Sequence, residues 1–229
     1  MRLFILTTLL FGFNSIAICQ DMTALVDKVK AKLDKVNDYV AEGSMKTDVA
    51  FIKAPLGKVK VYFKKPNHFK LKRDGGISIL PKGGVTVNMS TLISGKDFVA
   101  VAAGEAVINN TKTKVIKLLP TSENSDVVLS TIYIDEANLL ILKAATTTKE
   151  NGSFEIELSY GKYVVYALPD KVNFNFNTKD YKMPKGVALE FDDEDKFSEA
   201  EKLKRKKGRV QIVYNKYIIN QGVGDEVFK

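Results

Sequence analysis

The chain has 229 residues, 35 of them basic and 27 acidic, and a net charge of +8; that length suits one large β domain or two small ones with a substantial core. One histidine (His68) and one cysteine (Cys19) nearly exclude a transition-metal site of nitrogen and sulfur ligands, and they leave no disulfide within the chain.

Met1-Arg2 gives a short positive start, and residues 3–18 are almost wholly apolar. Ala17 and Cys19 stand three places and one place before Gln20. This is the pattern of an export signal cleaved between Cys19 and Gln20, and the run is too short for a comfortable membrane span. The expected mature chain is a single domain over residues 20–229, free of cysteine and working outside the cytoplasm. Lipid modification of Cys19 is the other fate for that residue. It wants a small residue before the cysteine, where Ile18 stands. A basic exported protein is drawn to anionic lipid head groups sooner than to nucleic acid, although dispersed lysines also keep strands soluble and guard sheet edges.

Residues 22–36 read as an amphipathic helix, with Met22, Leu25, Val26, Val29, Leu33 and Val36 at three- and four-residue spacing. From Tyr39 the period becomes two. Tyr39, Ala41, Gly43, Met45, Thr47, Val49 and Phe51 share one face of a strand. Pro55-Leu56-Gly57 turns the chain into Val59, Val61 and Phe63, then Phe69 and Leu71 after Pro66. Glycine pairs at 75–76 and 83–84 flank a short run at 77–80. Further strands are expected over 98–103, 114–119, 127–134, 139–145, 153–160, 172–176 and 209–220, with hairpin turns at Asn109-Asn110 and Asn151-Gly152. Many short antiparallel strands imply a mainly β meander, closed as a barrel or strongly curved. Residues 192–207 break the pattern. They run from Asp192, Asp193, Glu194 and Asp195 to Lys204, Arg205, Lys206 and Lys207, which fits a surface helix with acid first and base last, or a poorly ordered excursion.

Catalytic motifs are scarce. His68 follows Pro66 among strand lysines and reads as a half-exposed strand residue. No G-x-S-x-G elbow, Walker A loop or dinucleotide glycine pattern occurs. Asp135-Glu136 and the pair Glu155 and Glu157 are carboxylates in reach of acid–base work, but they read better as a turn and as the wet face of a strand. Phe63, Phe69 and Phe154 share faces with aliphatic residues, which suits a dry interior better than stacking on nucleic acid. Neither an enzyme nor a nucleic-acid binder is expected.

The order of elements resembles the outer-membrane lipoprotein carrier family (LolA-like). The resemblance rests on the helix leading into Val36-Asn37-Asp38-Tyr39-Val40-Ala41-Glu42-Gly43, and on the strand–proline–strand step from Val61 through Pro66 to Lys70. It rests also on Thr131-Ile132-Tyr133-Ile134-Asp135 with the following Leu140 to Ala144, and on the closing run from Gly208 to Gly222 with Asp225-Glu226-Val227-Phe228. The chain departs from the family in lacking tryptophan and in its segment 192–207.

The resemblance implies a half-open β-barrel: a strongly curved antiparallel sheet with an N-terminal helix and a further helical cap. It implies a monomeric periplasmic carrier that holds acyl chains of lipoproteins or other lipids in an apolar cavity and needs no cofactor. An inner-membrane donor complex, an outer-membrane acceptor and transient contact with the membrane surface would be its partners. The expected cavity residues are Val49, Phe51, Val61, Phe63, Phe69, Leu71, Ile79, Ile116, Ile132, Leu142, Ile156 and Leu158, with Leu25, Val29 and Leu33 of the first helix covering part of it. An ordinary filled core is the competing reading for each residue taken singly. The competing function is an envelope lipid sensor that regulates a partner protein.

Overall fold

Alternation governs the chain from Asp38 onward. In the computed structural model, which describes residues 22–49, 56–74, 98–150, 152–177 and 207–229, one helix is followed by ten strands. The helix is α1 (Met22–Leu33). The strands are β1 (Asp38–Val49), β2 (Gly57–Lys64), β3 (His68–Arg73), β4 (Phe98–Ile108), β5 (Thr111–Pro120), β6 (Val127–Asp135), β7 (Leu140–Thr148), β8 (Gly152–Ser159), β9 (Lys171–Asn177) and β10 (Lys207–Ile219). Tight single turns of helix follow at Val164–Tyr166, between β8 and β9, and at Asp225–Phe228.

The strands form one curved, unclosed antiparallel sheet in the order β3-β2-β1-β10-β9-β8-β7-β6-β5-β4. The first and last strands therefore pair with each other, and β3 and β4 are the two edges. Four irregularities bend the sheet. Ala103 and Gly104 of β4 together oppose Val115, with Gly104 at φ +92. Asn215 is an extra residue in β10, Leu142 in β7 and Val128 in β6. Such bulges kink and over-twist their strands, which is how a ten-stranded sheet acquires a hollow side. At the β1–β10 seam, Gly43 lies so close to β10 that a side chain there would run into the Val213 carbonyl oxygen.

Asn109 and Asn110 both adopt positive φ, 48 and 63, and turn β4 into β5 as a mirror-image hairpin turn. The helix stops at Leu33, three residues before its expected end. The Asp34 amide still bonds the Lys30 carbonyl at 2.8 Å, and the chain then tightens, with the Val36 amide on the Leu33 carbonyl at 3.1 Å. Lys30 and Lys32 in the last turn suit the negative end of the helix dipole. Asn220 fixes the corner from the far end of the chain. Its side-chain oxygen accepts from the Asn37 amide at 2.7 Å and its nitrogen donates to the Lys35 carbonyl at 2.9 Å.

The last strand starts at Lys207, two residues earlier than expected, so the charged segment gives up its final lysine to the sheet. The rest of that segment, the signal at 1–19, the run at 77–80, Pro55 and Asn151 lie outside the described residues.

The two edges differ. At β3, the C-terminal turn packs against the strand: Lys64 pairs with Asp225 at 2.6 Å and Lys70 donates to the Lys229 carbonyl at 2.6 Å. His68 is exposed at the start of β3, with its ring 5.3 Å from that of Phe228. Lysines and a covering turn are ordinary protections for a sheet edge. At β4, by contrast, Val99, Val101 and Val107 are exposed.

Candidate functional site

The inner face of the sheet is apolar from one edge region to the other. Along β1 the buried residues are Tyr39, Ala41, Gly43, Met45, Thr47 and Val49, every second position. Val59, Val61 and Phe63 continue this face on β2, Ile132 on β6, Ile156 and Leu158 on β8, Phe174 on β9, and Val210 and Ile212 on β10. Helix α1 buries Met22, Leu25, Val26 and Val29 in the same cluster and lies against β4. The helix thus covers part of the apolar face near an edge that has no further strand beside it among the described residues.

Nine of the residues expected to line a cavity meet in this cluster: Leu25, Val29, Val49, Val61, Phe63, Ile116, Ile132, Ile156 and Leu158. Leu33, Phe69 and Leu71 are half-buried and packed against it. Leu142 goes elsewhere. As the extra residue of the β7 bulge, it yields its place in the main cluster to Ile141 and joins Leu140 and Ala167 in a small satellite. Leu33, Ile108, Tyr160 and Val164 pack on that satellite, so α1 touches both groups. Phe51 and Ile79 lie outside the described residues.

Sequence reasoning missed the aromatic end of the face. Tyr39 lies 5.2 Å from Phe63 and 5.4 Å from Tyr217, ring to ring; Tyr217 lies 4.9 Å from Tyr163 and 5.1 Å from Tyr214. Two of these come from β10, where the bulge at Asn215 resets the alternation and turns both Tyr214 and Tyr217 inward. The Tyr217 hydroxyl donates to the Pro169 carbonyl at 2.8 Å, and Tyr160 donates to the Ile141 carbonyl at 2.8 Å. Burial pushes the hydroxyls of Tyr39, Tyr160 and Tyr217 well above the usual phenol range, so all three stay protonated.

The outer face is polar. Lys143 pairs with Glu155 at 2.6 Å, and Lys60 with Glu42 at 2.9 Å. Gln211 donates to Asn173 at 2.9 Å and Arg209 to Asn175 at 2.9 Å. Glu155 and Glu157 belong to this wet side. Asp135 is buried in the β6–β7 turn, where it accepts from the Asn138 amide at 3.2 Å and from its side chain at 2.7 Å. Glu105 forms ion pairs with Lys112 and Lys114, both at 2.7 Å. Hydrogen bonds from those two lysines hold its carboxyl down at about 2. Among the described residues, no three histidine, cysteine or carboxylate side chains come together as a metal site.

An open ten-stranded sheet around an apolar face, with a helix across it, matches solved structures over nearly the whole chain. An outer-membrane lipoprotein-sorting protein domain from Vibrio parahaemolyticus superposes with a TM-score of 0.56 at 11% identity, covering 90% of this chain and 94% of that one. A LolA superfamily protein from Nitrosomonas europaea gives 0.53 at 8% identity, covering 91% and 97%. The chain has a LolA-like fold. A DUF1329 family protein from Desulfovibrio piger shares it, with a TM-score of 0.51 at 11% identity and coverage of 91% and 97%. No protein-family model matches the sequence, and no curated protein matches it. At such low identity the likeness carries the architecture alone, and any function has to be argued from this chain's own residues.

Proposed function

We propose that the protein is a periplasmic carrier that holds acyl chains of lipoproteins or other lipids against the inner face of its sheet and moves them toward the outer membrane. The observation that carries this reading is the continuous apolar inner face, part-covered by a helix that packs on an unclosed edge. Such a face competes with a bilayer for an acyl chain, because each methylene transferred from water contributes about 0.8 kcal/mol in either place. A helix resting on the opening offers a route in and out without breaking any strand pairing. The polar outer face keeps the loaded protein in water. Among the described residues no helix is long and apolar enough to cross a membrane. The proposal includes export through the signal at 1–19, a donor at the inner membrane and an acceptor at the outer one.

Leu33 is suited to a direct test, because it is half-buried and packs against both the main cluster and the satellite. Leu33→Glu places a charge beneath the end of α1 while leaving the fully buried core untouched. The expected result is a folded protein whose affinity for a fluorescent acyl lipid falls by about tenfold or more, as a charge enters an apolar contact. Unchanged lipid affinity in the folded variant would contradict the placement of the chain beneath the helix.

A further inference from the structure

Tyr214 sits on the inner face of β10 opposite Gly43, and it is 6% exposed. Its hydroxyl is shut off from solvent and has no hydrogen-bond partner among the described residues. Buried hydroxyls are normally paired, because an unpaired one forfeits its bonds to water. Three tyrosines of the same end of the sheet do have partners: Tyr217 bonds Pro169, Tyr160 bonds Ile141, and the Tyr163 hydroxyl accepts from the Tyr217 amide at 3.3 Å. Among the described residues Thr47 is the other buried hydroxyl in this state. A threonine hydroxyl can swing toward its own backbone, whereas the tyrosine oxygen stands a full ring away and depends on whatever lies before it.

The chemistry of that missing partner is constrained. Burial and the Tyr39 phenol push the pKa of the Tyr214 hydroxyl well up, so it remains a proton donor. Its ring lies 5.1 Å from that of Tyr217 within the apolar cluster, close enough to Tyr39 to feel that phenol's charge. An ionised carboxylate or phosphate brought there would lose its hydration without a cation in exchange, so the acceptor is neutral.

We propose that Tyr214 donates a hydrogen bond to the carbonyl oxygen of a bound acyl group, the ester or amide that joins the chain to its head. This rests on the acyl-carrier reading and deepens it, because the face then reads the carbonyl as well as the tail. Glycerolipids offer an ester at this place and N-acylated lipoproteins an amide; an ether-linked alkyl chain offers neither.

The test uses the full chain, Tyr214→Phe, and Tyr217→Phe as a control. The probes are a fluorescent dipalmitoyl phosphatidylglycerol, its dialkyl ether analogue and an N-palmitoylated peptide. The wild-type protein is expected to bind at least one carbonyl-bearing probe about tenfold more tightly than the ether. Tyr214→Phe removes that preference and leaves ether binding unchanged. A loss confined to the phosphatidylglycerol assigns the carbonyl to a glycerolipid, and a loss confined to the peptide assigns it to an N-acyl chain. The unliganded Tyr214→Phe protein is expected to melt no lower than wild type, whereas Tyr217→Phe melts lower because it loses its bond to Pro169. Equal affinity of the wild type for ester, amide and ether, or a preference kept by Tyr214→Phe, would overturn the inference and leave an internal water as the hydroxyl's partner. Absence of binding to all three probes would overturn the carrier reading with it.

Discussion

Gly43→Ala is expected to lower the unfolding free energy by about 3 kcal/mol or more, an unusually large effect for the addition of one methyl group. The added carbon would run into the Val213 carbonyl oxygen and reach 3.0 Å from the Tyr214 Cα, and neither backbone atom can move without opening the ladder. The damage falls on the seam between β1 and β10, which joins strands β3-β2-β1 to the rest of the sheet and pairs the chain's first strand with its last. Chemical denaturation measures it. A midpoint equal to that of wild type would mean that β1 and β10 stand far enough apart at Gly43 to admit a methyl group.

The second large effect concerns Phe63, 3% exposed on β2 and packed beside Tyr39. Phe63→Ala is expected to cost about 3–5 kcal/mol through the cavity it leaves. Phe63→Glu adds a pH dependence whose sign follows from burial. The introduced carboxyl is harder to ionise in the folded protein than in the unfolded chain, so its folded pKa lies above its unfolded value. Below the unfolded pKa both states hold the proton and the variant is at its most stable. As pH rises from there toward the folded pKa, stability falls by about 1.4 kcal/mol per unit. Melting curves at pH 4 and pH 7 separate the cases: Phe63→Glu should melt markedly lower at pH 7, while Phe63→Ala lacks this added dependence. A Phe63→Glu protein as stable as wild type at pH 7 would place this side chain in water and remove β2 from the apolar face.

Local pattern made much of this architecture legible from the amino-acid order. The alternation from Tyr39 to Val49 is the burial pattern of β1, residue for residue, because a half-buried strand admits one period only. Asn109-Asn110 announced its turn, since both residues tolerate positive φ. The pairing order was not legible. A simple meander sets β3 beside β4, yet these are the opposite edges, because β1 is flanked by both β2 and β10. That seam joins residues some 180 positions apart, such as Tyr39 and Ile219, and nothing local specifies it. The same limit explains the site. Bulges shift the inward parity by one, which moved Leu142 out of the main cluster and brought Ile141 and Tyr217 in. Val172, Phe174, Phe176, Val210 and Ile212 follow plain alternation and were open to the same reasoning that found Ile156 and Leu158.

Native mass spectrometry of the protein, purified from its source without detergent, tests the central claim most directly. If the hollow side of the sheet receives a fatty tail, the spectrum should contain a second species heavier by one acyl-bearing lipid, and stripped protein should regain that mass from vesicles. A spectrum with the bare polypeptide alone, unchanged after vesicle exposure, would mean that side chains fill the hollow completely and that the protein carries nothing.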